Sequence, residues 1–221
     1  MSTRSPSKAS LISAYSTCEL SDALVKLGHA SGGHLSSIQP ISPSNKDSIC
    51  GPAYTVEMVS LPTDLPPPTL PGHYVDCAPR GSVMVISTPR TLKSAVLGGL
   101  LALRAKIIGV AGVVVDGRIR DRSEMELPVF SRGFSTLGQG TFSRPQALDV
   151  PITIKGEDGF PDVIIRPGDI VKADEDGVVV VPLEKVEEVL EKCKSGREAD
   201  ERVKEDLLKG VEIAEAFKRH R

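Results

Sequence analysis

The sequence predicts one mixed α/β domain with a helical tail, and three observations predict it. Residues 107–115 form an apolar, β-branched run with the length of a buried strand. Residues 149–181 hold short strand-like runs separated by glycine and proline turns. Residues 183–192 and 199–219 are charged and amphipathic, the pattern of helices with one packed and one solvated face. With 221 residues, 40% of them hydrophobic, the chain can bury one substantial core.

The elements follow in order. Residues 1–8, rich in Ser, Lys and Arg, read as a disordered leader. Residues 9–27 read as a helix, with Leu11, Ile12, Tyr15, Leu20, Ala23, Leu24 and Leu27 on its apolar face and Gly28 as its stop. Gly32, Gly33 and the polar stretch to residue 44 read as loop, with a short strand near Ile38. Residues 54–59 alternate as a strand does, and residues 61–71 carry five prolines, as a stiff exposed loop would. Residues 82–87 are a second apolar strand.

Leu92, Ala95, Val96, Leu100 and Leu103 recur at helical spacing ahead of the strand at 107–115. Residues 149–154, 163–165, 170–172 and 178–181 read as short strands. Gly156, Gly159, Pro161, Pro167-Gly168 and Asp176-Gly177 punctuate them. The acidic run Asp174 to Gly177 fits a β-turn better than a calcium loop, whose other ligands are missing. The domain proper is residues 9–194, and residues 195–221 are expected to pack on the body or on a neighbouring subunit.

Composition excludes several classes of function. A formal net charge of −2 gives no basic field for nucleic acid, and 4% aromatics give no stacking platform. No apolar run approaches a membrane span, and the N-terminus lacks the apolar core of a secretory signal. Cys18, Cys50, Cys77 and Cys193 are far apart, which suits reduced thiols in a cytoplasmic protein. His29, His34, His73 and His220 form no metal-binding pair. His34 and His73 fall in expected loops.

Chemistry concentrates in the stretch Gly112-Val-Val-Val-Asp-Gly-Arg-Ile-Arg-Asp-Arg-Ser-Glu124. Asp116, Arg118, Arg120, Asp121 and Glu124 emerge where the strand is expected to end, and such loops commonly carry function. They suit a hard divalent metal beside an anionic substrate, or a solvated turn with local ion pairs. Asp116-Gly117 by itself reads as a structural turn. Upstream, Gly98-Gly99 leaves two readings open. A helix starting there would free the amides of Gly98, Gly99, Leu100 and Leu101 to hold a carboxylate, with Arg120 as the cationic partner. Close packing on the apolar stripe of Leu92, Val96 and Leu103 explains the pair equally simply.

These segments, with Ser21-Asp22-Ala23-Leu24, Cys50-Gly-Pro-Ala-Tyr-Thr-Val56, Pro128-Val-Phe-Ser-Arg132 and Pro167-Gly-Asp to Val181-Pro182, resemble the RraA-like family. That family contains the class II 4-hydroxy-4-methyl-2-oxoglutarate aldolases, related oxaloacetate decarboxylases and regulators of ribonuclease E activity. The wording looks closest to a fungal branch. The resemblance implies a β/β/α fold of the phosphohistidine-domain type with C-terminal helices. It also implies a homotrimer or hexamer with sites near subunit interfaces, and a small 2-oxo acid substrate. By the same resemblance Asp121 would ligate Mg2+ or Mn2+, with Glu124 as the following acid. Arg120 would contact the 2-oxo acid and the enolate oxygen, and amides from Gly98 to Leu101 would hold the substrate carboxylate.

The family signature also has an acid twenty residues before the Arg-Asp pair, and that position is Gly99 here. Glu57, Glu124 or an acid of the C-terminal helix from a neighbouring subunit are the candidate substitutes. Without that acid, oxaloacetate decarboxylation is favoured over retro-aldol cleavage, which also needs a base for the hydroxyl proton. A non-catalytic regulator binding a protein partner is the competing expectation. A menaquinone-type methyltransferase is disfavoured, since no glycine-rich nucleotide loop follows the first strand.

Overall fold

A computed structural model of the chain describes residues 7–41 and 48–221. Residues 1–6 of the expected leader and 42–47 of the expected loop and its continuation lie outside the described residues. Helices α1 (Lys8–Ile12) and α2 (Thr17–Lys26) replace the single helix that apolar spacing predicts over 9–27. Ser16 causes the break. Its side chain accepts from Glu19 N–H at 3.2 Å, and the Glu19 carboxylate accepts from Ser16 N–H at 2.8 Å. This capping box satisfies two orphan donors and starts a new helix. Gly28 ends α2 in a left-handed conformation, φ +86°, as predicted.

Strand β1 (Gln39–Pro40) follows Ile38, and β2 (Ile49–Ser60) extends well beyond the predicted 54–59. Strand β3 (Val83–Ser87) matches its prediction. The predicted helix through Leu92 and Leu103 is instead strand β4 (Ala95–Leu97) followed by helix α3 (Gly99–Ile108). Gly109, with φ +87°, closes α3, so Ile107 and Ile108 are helical. Strand β5 (Gly112–Ile119) therefore starts later than predicted and runs through Asp116-Gly117, which is not a turn.

Strands β6 (Val129–Phe134) and β7 (Ser143–Leu148) have no counterpart among the predicted elements. Strands β8 (Ile152–Ile154), β9 (Val163–Ile165), β10 (Ile170–Asp174) and β11 (Gly177–Val181) lie where short strands are predicted. The tail is one long helix, α4 (Val186–Leu208), and a short α5 (Ile213–His220), rather than helices broken near residue 195.

The main sheet has nine strands, in the order β1-β6-β5-β3-β2-β10-β11, with β4 added to β5 and β7 to β2. Strands β2, β3, β5 and β6 run parallel, and β10 and β11 turn the sheet antiparallel. Leu35 N–H donates to Val178 O and Val180 N–H to Gly33 O, so the chain just before β1 meets β11 and nearly closes a barrel. Val85, Val114, Phe130, Val171 and Val180 fill the interior. Val96, Ala102, Ala105, Val113 and Val115 pack α3 on the outer face. Leu20, Leu24, Val186, Val189 and Cys193 bind α2 and α4 to β10–β11.

Across the α2–α4 seam, the Arg197 guanidinium meets the Glu19 carboxylate at 2.7 Å. Burial pushes the Glu19 carboxyl up, but Arg197 and the Ser16 amide outweigh it and hold the group below its usual range. Glu19→Ala should cost about 1–2 kcal/mol of stability by urea unfolding at pH 7. Because the folded value is depressed, this contribution is complete above the ordinary glutamate value of about 4.3. It is lost as pH falls through the lower folded value, so the wild-type advantage over Glu19→Ala should shrink in acid.

Candidate active site

The site forms because β4 and β5 are parallel neighbours, with Leu97 opposite Ile119. The residues leaving the two strands therefore emerge side by side: Gly98 and Gly99 from β4, Arg120 and Asp121 from β5. Arg120 N–H donates to Leu97 O at 3.0 Å and ties the two exits together. Asp121 adopts a left-handed conformation, φ +59°, ψ +45°, which aspartate tolerates better than most residues. A single 3-10 turn (Arg122–Glu124) then brings Glu124 back toward α3, with Glu124 N–H donating to Asp121 O at 3.0 Å.

Gly98 is the N-cap of α3 and supplies no side-chain cap. One Asp121 carboxylate oxygen takes that role, accepting from Gly99 N–H at 3.2 Å and standing 3.4 Å from Arg120 Nε. A carboxylate at a helix N-terminus is favoured by the exposed amides and the helix dipole. Of the first-turn amides, Gly99 is thus engaged by Asp121, and Leu101 N–H donates to Gly98 O at 3.1 Å. Leu100 projects into solvent, 80% exposed.

Both glycines are explained by close approach. A Cβ on Gly98 would lie 2.7 Å from Asp121 Oδ2 and 3.3 Å from Arg120 Nε. A Cβ on Gly99 would lie 2.5 Å from Glu124 Oε2 and 3.4 Å from the Asp121 Cβ. The carboxylate beside the position of the missing signature acid is therefore Glu124. Glu57, by contrast, is exposed on β2 opposite Ser87. A third glycine, Gly138, lies so near the Arg120 guanidinium that a Cβ there would be 2.6 Å from Nη1. No pattern in the sequence connects Gly138 with Arg120.

Asp116 and Arg118 belong elsewhere. Asp116 is buried in an ion pair with Arg132, and Arg118 donates to Phe134 O at 2.8 Å. His73 is exposed and stacks on Tyr74, while His34 is half-buried in a shallow recess with Thr17, Cys18 and Asp176. Burial and the neighbouring Asp176 push the Cys18 thiol up, away from nucleophile chemistry. All four cysteines are free. No described helix is long and apolar enough to cross a membrane. Among the described residues no group of three or more His, Cys, Asp or Glu gathers as a metal cage, so any cation here rests on few protein ligands.

A family model described as Aldolase/RraA, RraA-like, matches residues 17–180. The chain belongs to the RraA-like family. Its sequence is 35% identical over 195 residues to a Halalkalibacterium halodurans protein provisionally named a 4-hydroxy-4-methyl-2-oxoglutarate aldolase, covering 87% of this chain and 83% of that one. It is 33% identical over 205 residues to Protein DlpA of Legionella pneumophila, covering 90% of this chain but only 31% of that longer protein. Among RraA-like structures, that of Streptomyces coelicolor RraAS2, titled an unusual member of the RNase ES inhibitor RraA family, superposes with a TM-score of 0.73. The two share 26% identity over 90% of this chain and 98% of that one. An uncharacterised Pseudomonas syringae protein superposes with a TM-score of 0.79 at 28% identity, covering 98% and 99% of the two chains. The RraA-like fold explains why sequence-distant Gly98 and Arg120 share one site.

Proposed function

We propose that this protein is a divalent-metal-dependent carbon–carbon lyase that cleaves 2-oxo diacids through a pyruvate enolate. The candidate substrates are oxaloacetate and 4-hydroxy-4-methyl-2-oxoglutarate. The observation that carries this reading is the convergence of Arg120, Asp121 and Glu124 on the paired glycines at the start of α3. The kinship with aldolase-named relatives supports it.

Hard oxygen donors from Asp121 and Glu124, both packed close against the paired glycines, suit Mg2+ or Mn2+. When bound, such a cation supplies Lewis acidity toward the 2-oxo acid. The residues of the chain do the rest. Asp121 and Glu124 would hold the cation, the amide of Leu100, which has no hydrogen-bond partner among the described residues, would receive the substrate carboxylate, and Arg120 would stabilise negative charge developing on the enolate oxygen. Glu124, in place of an acid at position 99, is the carboxylate placed to relay a proton. Decarboxylation needs only the electron sink and a proton donor, so oxaloacetate is the safer substrate.

Arg120 and Asp121 are 46% and 38% exposed in the single chain, too open to exclude water. Leu100, Leu103 and Ile107 form an exposed apolar stripe along α3 beside them. We propose that the protein works in the cytoplasm as a homotrimer or hexamer; both features suit closure of the site by a neighbouring subunit. The test is pyruvate release from each substrate with and without Mg2+ or Mn2+, against metal ion alone, because free divalent ions decarboxylate oxaloacetate unaided. Metal-dependent rates well above that control are expected, and rates equal to it would refute the reading. A glycine at the signature acid position and kinship with RraAS2 favour a second reading, a non-catalytic regulator. That reading predicts inertness with every 2-oxo acid.

Gly99→Ala provides a local check. Alanine is the better helix former, but its Cβ would also meet the Glu124 Cβ at 2.9 Å, so about 1–3 kcal/mol of stability should be lost as the 3-10 turn shifts. Its Cβ would displace the Glu124 carboxylate, so Mn2+ affinity measured by calorimetry should fall by about tenfold.

A further inference from the structure

A second anion-binding feature lies apart from the Arg120–Asp121 site. Thr88, Arg90, Asp116, Arg118 and Arg132 line a recess of about 100 Å3. It sits toward the carboxyl ends of β3, β5 and β6, three adjacent parallel strands. The recess gathers three guanidinium groups against two carboxylates. Arg132 pairs through Nε with Asp116 and through Nη1 with Glu157 at 2.8 Å. Arg90 also binds Glu157 and the Lys155 carbonyl. Arg118 pairs with no carboxylate among the described residues and donates only to Phe134 O. One positive charge is left over.

Behind the recess, Arg132 Nη2 is buried and has no hydrogen-bond partner among the described residues. A buried guanidinium nitrogen without an acceptor is costly, and native structures rarely leave one so. Arg132 is held on its other two edges, so it cannot turn outward to find water without breaking the Asp116 pair. A small oxyanion in the recess would neutralise the surplus charge and give the Arg118 guanidinium a charged partner. The volume admits one tetrahedral oxyanion and is too small for a nucleotide or a sugar.

We infer that Arg90, Arg118 and Arg132 form a binding site for a single phosphate-sized oxyanion, independent of the Arg120–Asp121 site. The test is calorimetric titration of the full chain with inorganic phosphate, with chloride and acetate at matched ionic strength as comparisons. Saturable phosphate binding is expected, with acetate weaker and chloride inert. Phosphate at about ten times its Kd should raise the melting temperature by about 3–5 °C.

Arg118→Gln and Arg90→Gln, whose folding is checked by their own melting curves, should each weaken phosphate binding by at least about tenfold. Arg120→Ala should leave it unchanged, which separates this site from the proposed catalytic one. Absence of saturable binding, full affinity in Arg118→Gln, or loss confined to Arg120→Ala would overturn the inference.

Discussion

Replacing Asp121 with asparagine should leave the protein folded and lower its metal-dependent pyruvate formation by at least about 100-fold. Asparagine tolerates the left-handed backbone at this position, and its side-chain oxygen can still accept from Gly99 N–H. The cap of α3 and the turn to Glu124 therefore persist, and the melting temperature should move little. What disappears is the anionic oxygen donor. A divalent cation in an enolate-forming site supplies several kcal/mol of transition-state stabilisation, so losing its main protein ligand costs two orders of magnitude or more. A coupled assay for pyruvate, paired with a thermal melt, checks both halves of the expectation. Activity equal to wild type would remove Asp121 from the mechanism.

The largest effect on stability is expected from Arg132→Met. Asp116 is 3% exposed, and its ion pair with Arg132 is its only one among the described residues. Methionine keeps the volume but strands a buried carboxylate, at a cost of about 3–5 kcal/mol. Burial already raises the Asp116 pKa above its ordinary value, with Arg132 opposing the rise. Without Arg132 the folded value climbs further. The folded variant then binds a proton more readily than the unfolded chain, so stability falls as pH rises through the window between the ordinary and the raised values. The defect should thus be large at pH 7 and partly relieved in mild acid. Denaturant midpoints for wild type and variant across that range measure it. Arg132→Lys should recover only part of the loss, because an ammonium cannot bridge Asp116 and Glu157 as the guanidinium fork does.

Local patterns in the sequence were legible where the chain makes its decisions locally. Gly28, the short strands between residues 152 and 181, and the turn at Asp174 to Gly177 all lie where turn chemistry and alternation put them. Apolar spacing failed where two elements share one stripe. Leu92, Val96 and Leu103 fit a helical period, yet Ala95–Leu97 is a strand, and only Gly98-Gly99 marks the change. The run at 107–115 likewise spans the end of α3 and the start of β5, divided at Gly109. Gly196 should cost about 1 kcal/mol within a helix, but packing of Val189, Cys193 and Val203 carries α4 through it.

The site divides the same way. Arg120, Asp121 and Glu124 stand out within a few residues of one another. Their meeting with Gly98-Gly99 depends on β4 and β5 pairing in parallel around α3, and the twenty-residue spacing is the length of that crossover. The identity of Glu124 as the carboxylate against Gly99 depends on the fold of a single 3-10 turn. The Arg90–Glu157–Arg132–Asp116 network joins four separate segments and has no sequence signature at all.

The central claim is that Arg120, Asp121 and Glu124 generate a pyruvate enolate, and proton exchange tests it without assuming the physiological substrate. Pyruvate incubated with the protein and Mn2+ or Mg2+ in D2O, then quenched with chelator and followed by proton NMR, reports enolate formation as loss of the methyl signal. The account predicts exchange far above that of metal alone with wild type, and exchange at the metal-only rate with Asp121→Asn. Wild-type protein exchanging no faster than metal alone would contradict it.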